Sequence, residues 1–599
     1  MLASRFVMAL AIALALPILL TAHAATSSAP PTFYQTIETG GVWWFQSPDG
    51  ARFFSLGVNV VSPGASREEY RPDKPEYASF RYYPKTDVWT SATLRRLHDW
   101  NFNTIGGWSD PAMQEGPLPF TPVLSLGESA GGLWSDLFSP EVAAKFDETA
   151  KRIIVPLREN PRLLGYFSDN ELGWWSDALF IYFLKQPRTN HTHQVLIELL
   201  RNRYGNNFRS LHRDFVVGKS STFDELASKD KLLLRPGGQG RKLVDDFTFL
   251  LAQRYYQLCH DSIRRYDEHH LILGDRYAGW YPKSVARAAG PYVDVISINS
   301  GADWKDGAIS PFILKTLHEL TGKPVLVSEF YMCATENRSG NKNSREIFPT
   351  VATQKERAAA FRTNLAALAA LPFVIGAHWF QYFDEPTFGR SDGEDYNMGL
   401  VDINDHPYEE LTAEAAALNT DAIHRTSAHV LSRHETLVPR LGVANSLWTQ
   451  PQTLIESATT TGPGQPFADL YATWDTKFLY VVLRAAGYMD PHLYQGARLP
   501  LGEAMQWTVN VGAAIKPVRI RFGGNVAPVF DGGEGTVEMH RTSTRFTIVV
   551  KLPASSFGTG TLTNDALILI HSKLTSYGGL HTMEWSQPLR LTSSSPQAN

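Results

Sequence analysis

An α/β chain, built as a (β/α)8 barrel with insertions and followed by an all-β sandwich, is the fold this sequence predicts. Three observations lead there. Between Phe53 and about Leu400, short apolar runs alternate with helical patterns, and eight such runs can be marked. Several are almost continuously apolar, as strands buried on both faces must be. Beyond about residue 435 the pattern changes to period-two segments separated by Gly, Asp and Thr turns, which is how a sandwich reads. At about 100–200 residues per domain, a chain of 599 residues with 43% hydrophobic content has room for both parts and a large core.

The elements follow in order. Residues 1–24 predict a cleaved signal peptide, with Arg5 in a short n-region, an apolar run from Phe6 to Leu20, and an A-x-A site at Ala22-His23-Ala24. The expected location is therefore secreted or periplasmic. No later stretch has the ~18 uncharged apolar residues of a membrane span. The barrel is expected over 25–430. It opens with a hairpin in which Val42-Trp43-Trp44-Phe45 and Arg52-Phe53-Phe54 flank the turn Ser47-Pro48-Asp49-Gly50.

The eight strand runs are Phe53–Val60, Phe102–Trp108, Thr121–Leu126, Leu163–Asp169, Leu271–Tyr277, Val293–Asn299, Pro324–Phe330 and Val374–Tyr382. Helical patterns between them include Ser91–Trp100, Glu141–Glu159, Asp245–Tyr266, Pro311–Thr321 and Thr353–Leu371. A β-then-α alternation of this length closes as a barrel. The span exceeds the ~250 residues usual for that fold, so an insertion is expected at about 173–241, with its own helix at Val195–Tyr204. The sandwich is expected over 435–592, from segments such as Phe478–Leu483, Val518–Phe522, Phe546–Val550 and Leu567–Ile570.

Composition excludes some classes of function. Lys and Arg number 56 against 60 Asp and Glu, a net charge of −4, which gives no basis for nucleic-acid binding. Two cysteines, Cys259 and Cys333, are too few for a disulfide framework and are expected to stay separate. His191-Thr192-His193 has no third ligand in register, so no metal site is expected. No organic cofactor is implied, and a structural calcium ion in the sandwich is left open. The oligomeric state is not readable. Asn190-His191-Thr192 and Asn337-Arg338-Ser339 fit the glycosylation sequon.

In a (β/α)8 barrel the chemistry sits at the C-terminal strand ends. The fourth run ends Ser168-Asp169-Asn170-Glu171, and the seventh ends Ser328-Glu329-Phe330. Two carboxyls across one barrel mouth match the needs of a glycosidic bond. One protonates the leaving oxygen, and the other attacks the anomeric carbon or activates water. Softer candidates at strand ends are Asn59, Trp108 and Asp275-Arg276-Tyr277. Trp174, Trp175, Trp280 and Trp304 lie in the loops beyond, and aromatic faces of this kind pack against sugar C–H faces.

Asp169-Asn170-Glu171 with Ser328-Glu329-Phe330 resembles the retaining glycoside hydrolases of the large (β/α)8 clan. More narrowly, Leu163–Glu171 is similar to the matching stretch of β-agarases and family 42 β-galactosidases. So are the insertion segments Arg203–Phe208 and Thr222–Leu226, and Gly399-Leu400-Val401-Asp402 leading to Pro407-Tyr408. The resemblance spans about 40–425. It implies Glu171 as acid/base, Glu329 as nucleophile, Asn170 as partner of the 2-hydroxyl, and Trp379 as a platform under the sugar. Glu171 is then expected to have a raised pKa while Glu329 stays ionised. The clan often places a Tyr or His at the end of strand six to hold the nucleophile. This chain has Ser297-Ile298-Asn299-Ser300 there, so either Asn299 or Tyr277 is expected to hold Glu329. Phe467–Asp475 with Phe478–Val481 resembles family 9 carbohydrate-binding modules, which implies a sugar-binding sandwich.

These features together imply hydrolysis of β-glycosidic bonds in a neutral polysaccharide or oligosaccharide, agarose- or galactan-like first. The alternatives are a β-glucanase, β-mannanase or transglycosylase on the same barrel, or a non-catalytic carbohydrate-binding protein.

Overall fold

The computed structural model describes residues 33–227, 231–345, 348–427, 436–439, 453–455, 459–461, 467–486, 489–511, 517–533, 535–541 and 545–593. The expected signal peptide at 1–24 and the expected boundary at 430–435 lie outside the described residues. The chain is mixed α/β with several β-sheets.

A three-stranded antiparallel sheet comes first, made of β1 (Gln35–Thr39), β2 (Val42–Gln46) and β3 (Arg52–Phe53). The strands that follow are β4 (Ser55–Val58), β5 (Thr104–Ile105), β6 (Gly165–Tyr166), the hairpin β7 (Phe215–Val217) and β8 (Leu232–Leu234), β9 (Leu271–Ile272), β10 (Tyr277–Ala278), β11 (Ile296–Asn299), β12 (Val325–Phe330), the pair β13 (Cys333–Ala334) and β14 (Thr350–Val351), and β15 (Val374–Trp379). Parallel pairing joins β10, β11, β12, β15, β4 and β5 in that order. Isolated parallel bridges continue from Ile105 to Phe120, from Phe120 to Leu163 and from Val123 to Phe167. β6 then pairs with β9, and Ile272 O accepts from Asp294 N and Val295 N just ahead of β11. The parallel pairings thus return to the sheet from which they set out.

Local sequence explains where this ladder thins. Thr121–Leu126, expected as the third strand, forms only bridges, because Pro119 and Pro122 have no N–H to give a ladder. The fifth run divides into β9 and β10 around Gly274, which takes φ +82. The hairpin β1–β2–β3 covers the end of the circuit opposite the strand termini. Tyr34 and Phe45 share an apolar cluster with Leu164, Phe167, Leu273, Leu326 and Ile375, Trp43 N donates to Pro372 O, and His424 Nε2 bonds Trp43 O.

Helices flank the parallel strands: α1 (Thr86–Asp99), α2 (Leu126–Ser129), α3 (Pro140–Ile154), α4 (Ser176–Leu184), α5 (His191–Arg203), α6 (Gly240–Arg264), α7 (Lys283–Ala289), α8 (Pro311–Thr321), α9 (Gln354–Ala369), α10 (Glu409–Ala417) and α11 (Thr420–Arg425). Their starts are chemically marked. Ser139 caps α3 ahead of Pro140, Asn190 caps α5, and Thr353 with Glu356 closes a capping box on α9. The helical stretch after residue 408 divides at Leu418-Asn419, because the Asn419 side chain caps α11.

The C-terminal part is two sheets. One runs 453–455, 467–474, 478–486, 545–553, 536–541. The other runs 436–439, 581–592, 567–576, 505–511, 518–523, 526–531, with 459–461 also on 581–592. Inward residues of both, Trp474 and Leu483 from the first and Trp507, Leu574 and Trp585 from the second, belong to one apolar cluster. Among the described residues, this pair of sheets grips the parallel region at two places. Leu234 N donates to Leu493 O and Gly237 N to Glu503 at the insertion, where the buried Arg241 also pairs with Asp177 and lies over the Tyr577 ring. The second grip is on residues 303–310.

Candidate active site

The C-terminal ends of the parallel strands carry an unusual density of strained backbone. Val60, Trp108, Glu171 and Arg276, which follow β4, β5, β6 and β9, all have φ between 50 and 55. Residues with side chains adopt this left-handed region at a cost of about 1–3 kcal/mol each, and such positions concentrate where geometry serves function. Three of the four, Trp108, Glu171 and Arg276, meet in one network.

Glu171 is fixed by Asp169 two residues earlier. The buried Asp169 carboxylate accepts from Gly127 N at 2.8 Å, Glu128 N at 2.9 Å and Tyr255 Oη at 2.6 Å. That anchor faces α2 and α6, and burial pushes the Asp169 carboxyl up to about 7. The chain then turns, with Glu171 N on the carbonyls of Asp275 and Arg276, and Glu171 stands exposed.

Glu329, next to last in β12, is 8% exposed. Arg276 Nη2 donates to its Oε1 at 2.6 Å, and Arg276 Nε donates to Asn170 Oδ1 at 3.0 Å. The guanidinium is fully buried between two rings, 4.4 Å from the Trp108 centroid and 4.7 Å from that of Phe167. Asn299 completes the network. Its Nδ2 donates to Glu171 Oε1 at 2.9 Å and to Asn170 Oδ1 at 3.2 Å, while its Oδ1 accepts from Ser328 Oγ at 2.7 Å. One amide oxygen, Asn170 Oδ1, therefore receives the donors that hold each carboxylate.

Burial pushes the Glu329 carboxyl up to about 7. The Arg276 charge pulls against this, while the negative charges of Glu171 and Glu394 add to it. This corrects the expectation that Glu329 keeps an ordinary carboxylate value, because its side chain on β12 is buried.

Several expected contact residues lie elsewhere. Asn299 binds Glu171, and Tyr277 bonds Tyr256 Oη, so the partner of Glu329 is Arg276. Asp275 is buried beneath the site, accepting from Trp174 Nε1 and Tyr256 Oη, with burial pushing it up to about 6. Trp174 therefore packs on Tyr255 and Tyr256 and forms no wall. Asn59 is a buried clamp, donating to the carbonyls of Ser328 and Trp379 and accepting from Gly107 N. Trp304 lies against Tyr471 of the C-terminal sheets.

Trp379 has no exposed surface. Its ring packs on Phe330 and Phe361, and its Nε1 donates to Met398 O. The cause is strand alternation. His378 turns inward onto Ser55 and Gly57, so Trp379 turns outward to α9. The next residue, Phe380, lies just past the strand, buried with Tyr396 and Met398, its ring 6.5 Å from that of Trp108.

Exposed aromatics near the strand ends are Trp108 at 41% and Trp175 at 45%, with Phe388 at 63% on the loop after β15. Among the described residues, no group of three or more His, Cys, Asp or Glu is placed to hold a metal ion. No described helix is long and apolar enough to cross a membrane.

Comparison with known proteins gives the site a context. No family model matches the chain. Among curated proteins it is similar to β-agarase B of Vibrio sp. (strain JT0107), 28% identical over 366 residues, covering 56% of this chain and 36% of the relative. It is also similar to β-agarase A of the same strain, 26% identical over 492 residues, covering 69% of this chain and 48% of the relative. The chain thus spans less than half the length of these curated relatives. Among solved structures, that of an exo-β-agarase superposes with a TM-score of 0.58 at 24% identity, over 67% of this chain and 66% of its own. The structure of PfGH50B gives 0.57 at 22% identity over 67% of each chain, and that of the agarase AgWH50C gives 0.55 at 21% over 66% of each. At these identities the structural likeness is one of fold.

Proposed function

We propose that this chain is a retaining glycoside hydrolase acting on the β-glycosidic bonds of an agarose- or galactan-like polysaccharide or oligosaccharide. The observation that carries the reading is the shared network, in which an exposed Glu171 and a buried Glu329 are held through one Asn170 amide by Asn299 and Arg276. The sequence similarity to β-agarases supports the substrate class. The returning circuit of parallel pairings supports reading 25–430 as a (β/α)8 barrel, and the shared core of the two C-terminal sheets supports a sandwich over 435–592. The signal read from residues 1–24 supports a secreted or periplasmic location for this activity.

In the proposed mechanism Glu329 attacks the anomeric carbon as Glu171 donates its proton to the departing oxygen. Glu171 then takes a proton from water, which attacks the glycosyl–Glu329 ester and releases the sugar. Arg276 opposes the burial that pushes Glu329 up to about 7, so favouring its anion, and by holding Oε1 it aims the other carboxylate oxygen. Asn170 Oδ1 is occupied by Arg276 and Asn299, so its Nδ2 is the donor for the 2-hydroxyl, a bond that strengthens in the transition state. Trp108 and Trp175, both exposed, supply apolar faces for sugar rings.

Product analysis on agarose, porphyran, galactan and β-glucan tests the substrate class, with agarose or galactan oligosaccharides expected. Proton NMR of the first-formed product is expected to show the β-anomer, and α-anomer would refute double displacement. Glu329→Gly is expected to abolish turnover and azide or formate to restore part of it. Full activity in that variant would sink the assignment.

A further inference from the structure

We infer that the C-terminal pair of sheets is a positioning element of the active site, acting through the 300–310 loop on Asn299 and so on Glu171. The inference rests on the catalytic reading above.

The loop leaves β11 immediately after Asn299, the residue that bonds Glu171, and leads into α8. Its first residue is tied to the other carboxylate's strand, because Ser300 N donates to Glu329 O at 2.8 Å. The next, Gly301, lies so close to the Tyr331 ring that a Cβ there would stand 2.4 Å from it. Two residues on, the loop is gripped from outside the parallel region. The buried Asp303 carboxylate pairs with Arg484 Nη2 at 3.2 Å and also with Arg545, both from the C-terminal sheets, and accepts from Ser310 N.

Trp304 is buried beneath that ion pair, edge-on to Tyr471 at 5.1 Å, with the Arg484 guanidinium 4.7 Å above its ring. Ser310 Oγ donates to Tyr471 Oη at 3.0 Å, since the Tyr471 proton goes to Asp469 at 2.8 Å. Gly307, with φ +93, presses the loop onto α9, where a Cβ would meet Ala360 O at 1.9 Å. One short loop thus carries an active-site amide at one end and a buried ion pair with the second sheet system four residues away. Buried, hydrogen-bonded contacts of this kind leave two packed alternatives, engaged or lost, with little graded play between. Asp303, Trp304, Arg484 and Tyr471 are therefore positioning residues: they touch no substrate and act through Asn299.

The test uses the full chain carrying Asp303→Asn or Tyr471→Phe, each first compared with wild type in melting temperature. kcat/KM is measured on two substrates: an oligosaccharide of the polymer, whose departing alcohol needs the Glu171 proton, and a dinitrophenyl β-glycoside of the released sugar, whose departing phenolate does not. Misplacing a general acid costs typically ~10²–10⁴-fold when complete. A shifted Glu171 is expected to lower kcat/KM on the oligosaccharide about 10-fold, and on the aryl glycoside less than about 2-fold. Equal losses on both substrates, or no loss on either, would overturn the inference. Glu171→Gln run in parallel separates the two levels. If it shows no preference between the substrates, the catalytic reading fails. If it does while both loop variants behave as wild type, only the positioning role fails.

Discussion

Arg276→Met is the most informative single substitution. It removes the only cationic partner that the described contacts give Glu329, at 2.6 Å, and keeps a side chain of similar reach between Trp108 and Phe167. With charge centres ~4 Å apart and an effective dielectric of ~20, the lost attraction is about 4 kcal/mol. At ~1.4 kcal/mol per unit, that is about 3 pH units of added preference for the protonated carboxyl. Water entering the vacated space returns part of it, so the expected net rise is about 1–3 units. In the wild type, burial already pushes Glu329 up to about 7. Because the nucleophile must be anionic, wild-type kcat/KM falls as pH drops through that value, and the limb in the variant lies higher. Stability carries the same sign. A carboxyl whose folded pKa is raised is tolerated while protonated and penalised once it ionises. The variant is therefore expected to lose about 1–2 kcal/mol more stability at about pH 8.5 than at about pH 5.5, because between those values the wild-type carboxyl ionises against Arg276 while the variant's stays largely protonated. The assays are pH–rate profiles on an oligosaccharide substrate and urea denaturation at both pH values. An acid limb within about half a unit of wild type, together with equal destabilisation at both pH values, would refute the reasoning.

Three further outcomes follow from the geometry. Trp108→Ala removes a 41%-exposed aromatic face beside Arg276 and is expected to raise KM about 10-fold, checked by steady-state kinetics. Asn299→Ala removes the donors to Glu171 and Asn170 and strands the Ser328 hydroxyl. A loss of about 10²-fold in kcat with little change in KM is expected, measured on the same substrate. Asp169→Ala strips the acceptor from Gly127 N, Glu128 N and Tyr255 Oη and is expected to cost about 1–3 kcal/mol, read from urea midpoints.

Much of this was visible in the residues, for reasons that can be named. Apolar runs such as Val325–Phe330 and Val374–Trp379 are buried throughout, so their composition reports their environment directly. Glu171 and Glu329 stood out because a carboxylate ending such a run is conspicuous. What could not be read is phase and direction. His378 and Trp379 are adjacent, and the small Ser55 and Gly57 on the neighbouring strand are what seat His378 inward and leave Trp379 facing out. The Arg276–Glu329 pair joins residues 53 positions apart, brought together by a left-handed turn at an arginine that carries no turn signal. Trp304 looked like a sugar wall because loop tryptophans after strands often are, yet its partners Tyr471 and Arg484 lie in another part of the chain.

The hairpin under the parallel circuit has a consequence for how the protein is made. Its residues leave the ribosome early, but their partners come late. Trp43 waits for Pro372 and for His424, 381 positions downstream, while Phe45 waits for Leu326 and Ile375. Closing a loop that long gives no reward until nearly the whole region exists, which makes this contact among the slowest to form. During synthesis an aromatic strand, Val42-Trp43-Trp44-Phe45, therefore stays uncovered for several hundred residues of elongation. Growing or stalled chains expose an edge suited to mispairing with one another, so yield on expression is expected to depend on chaperone capacity more than on the stability of the finished fold.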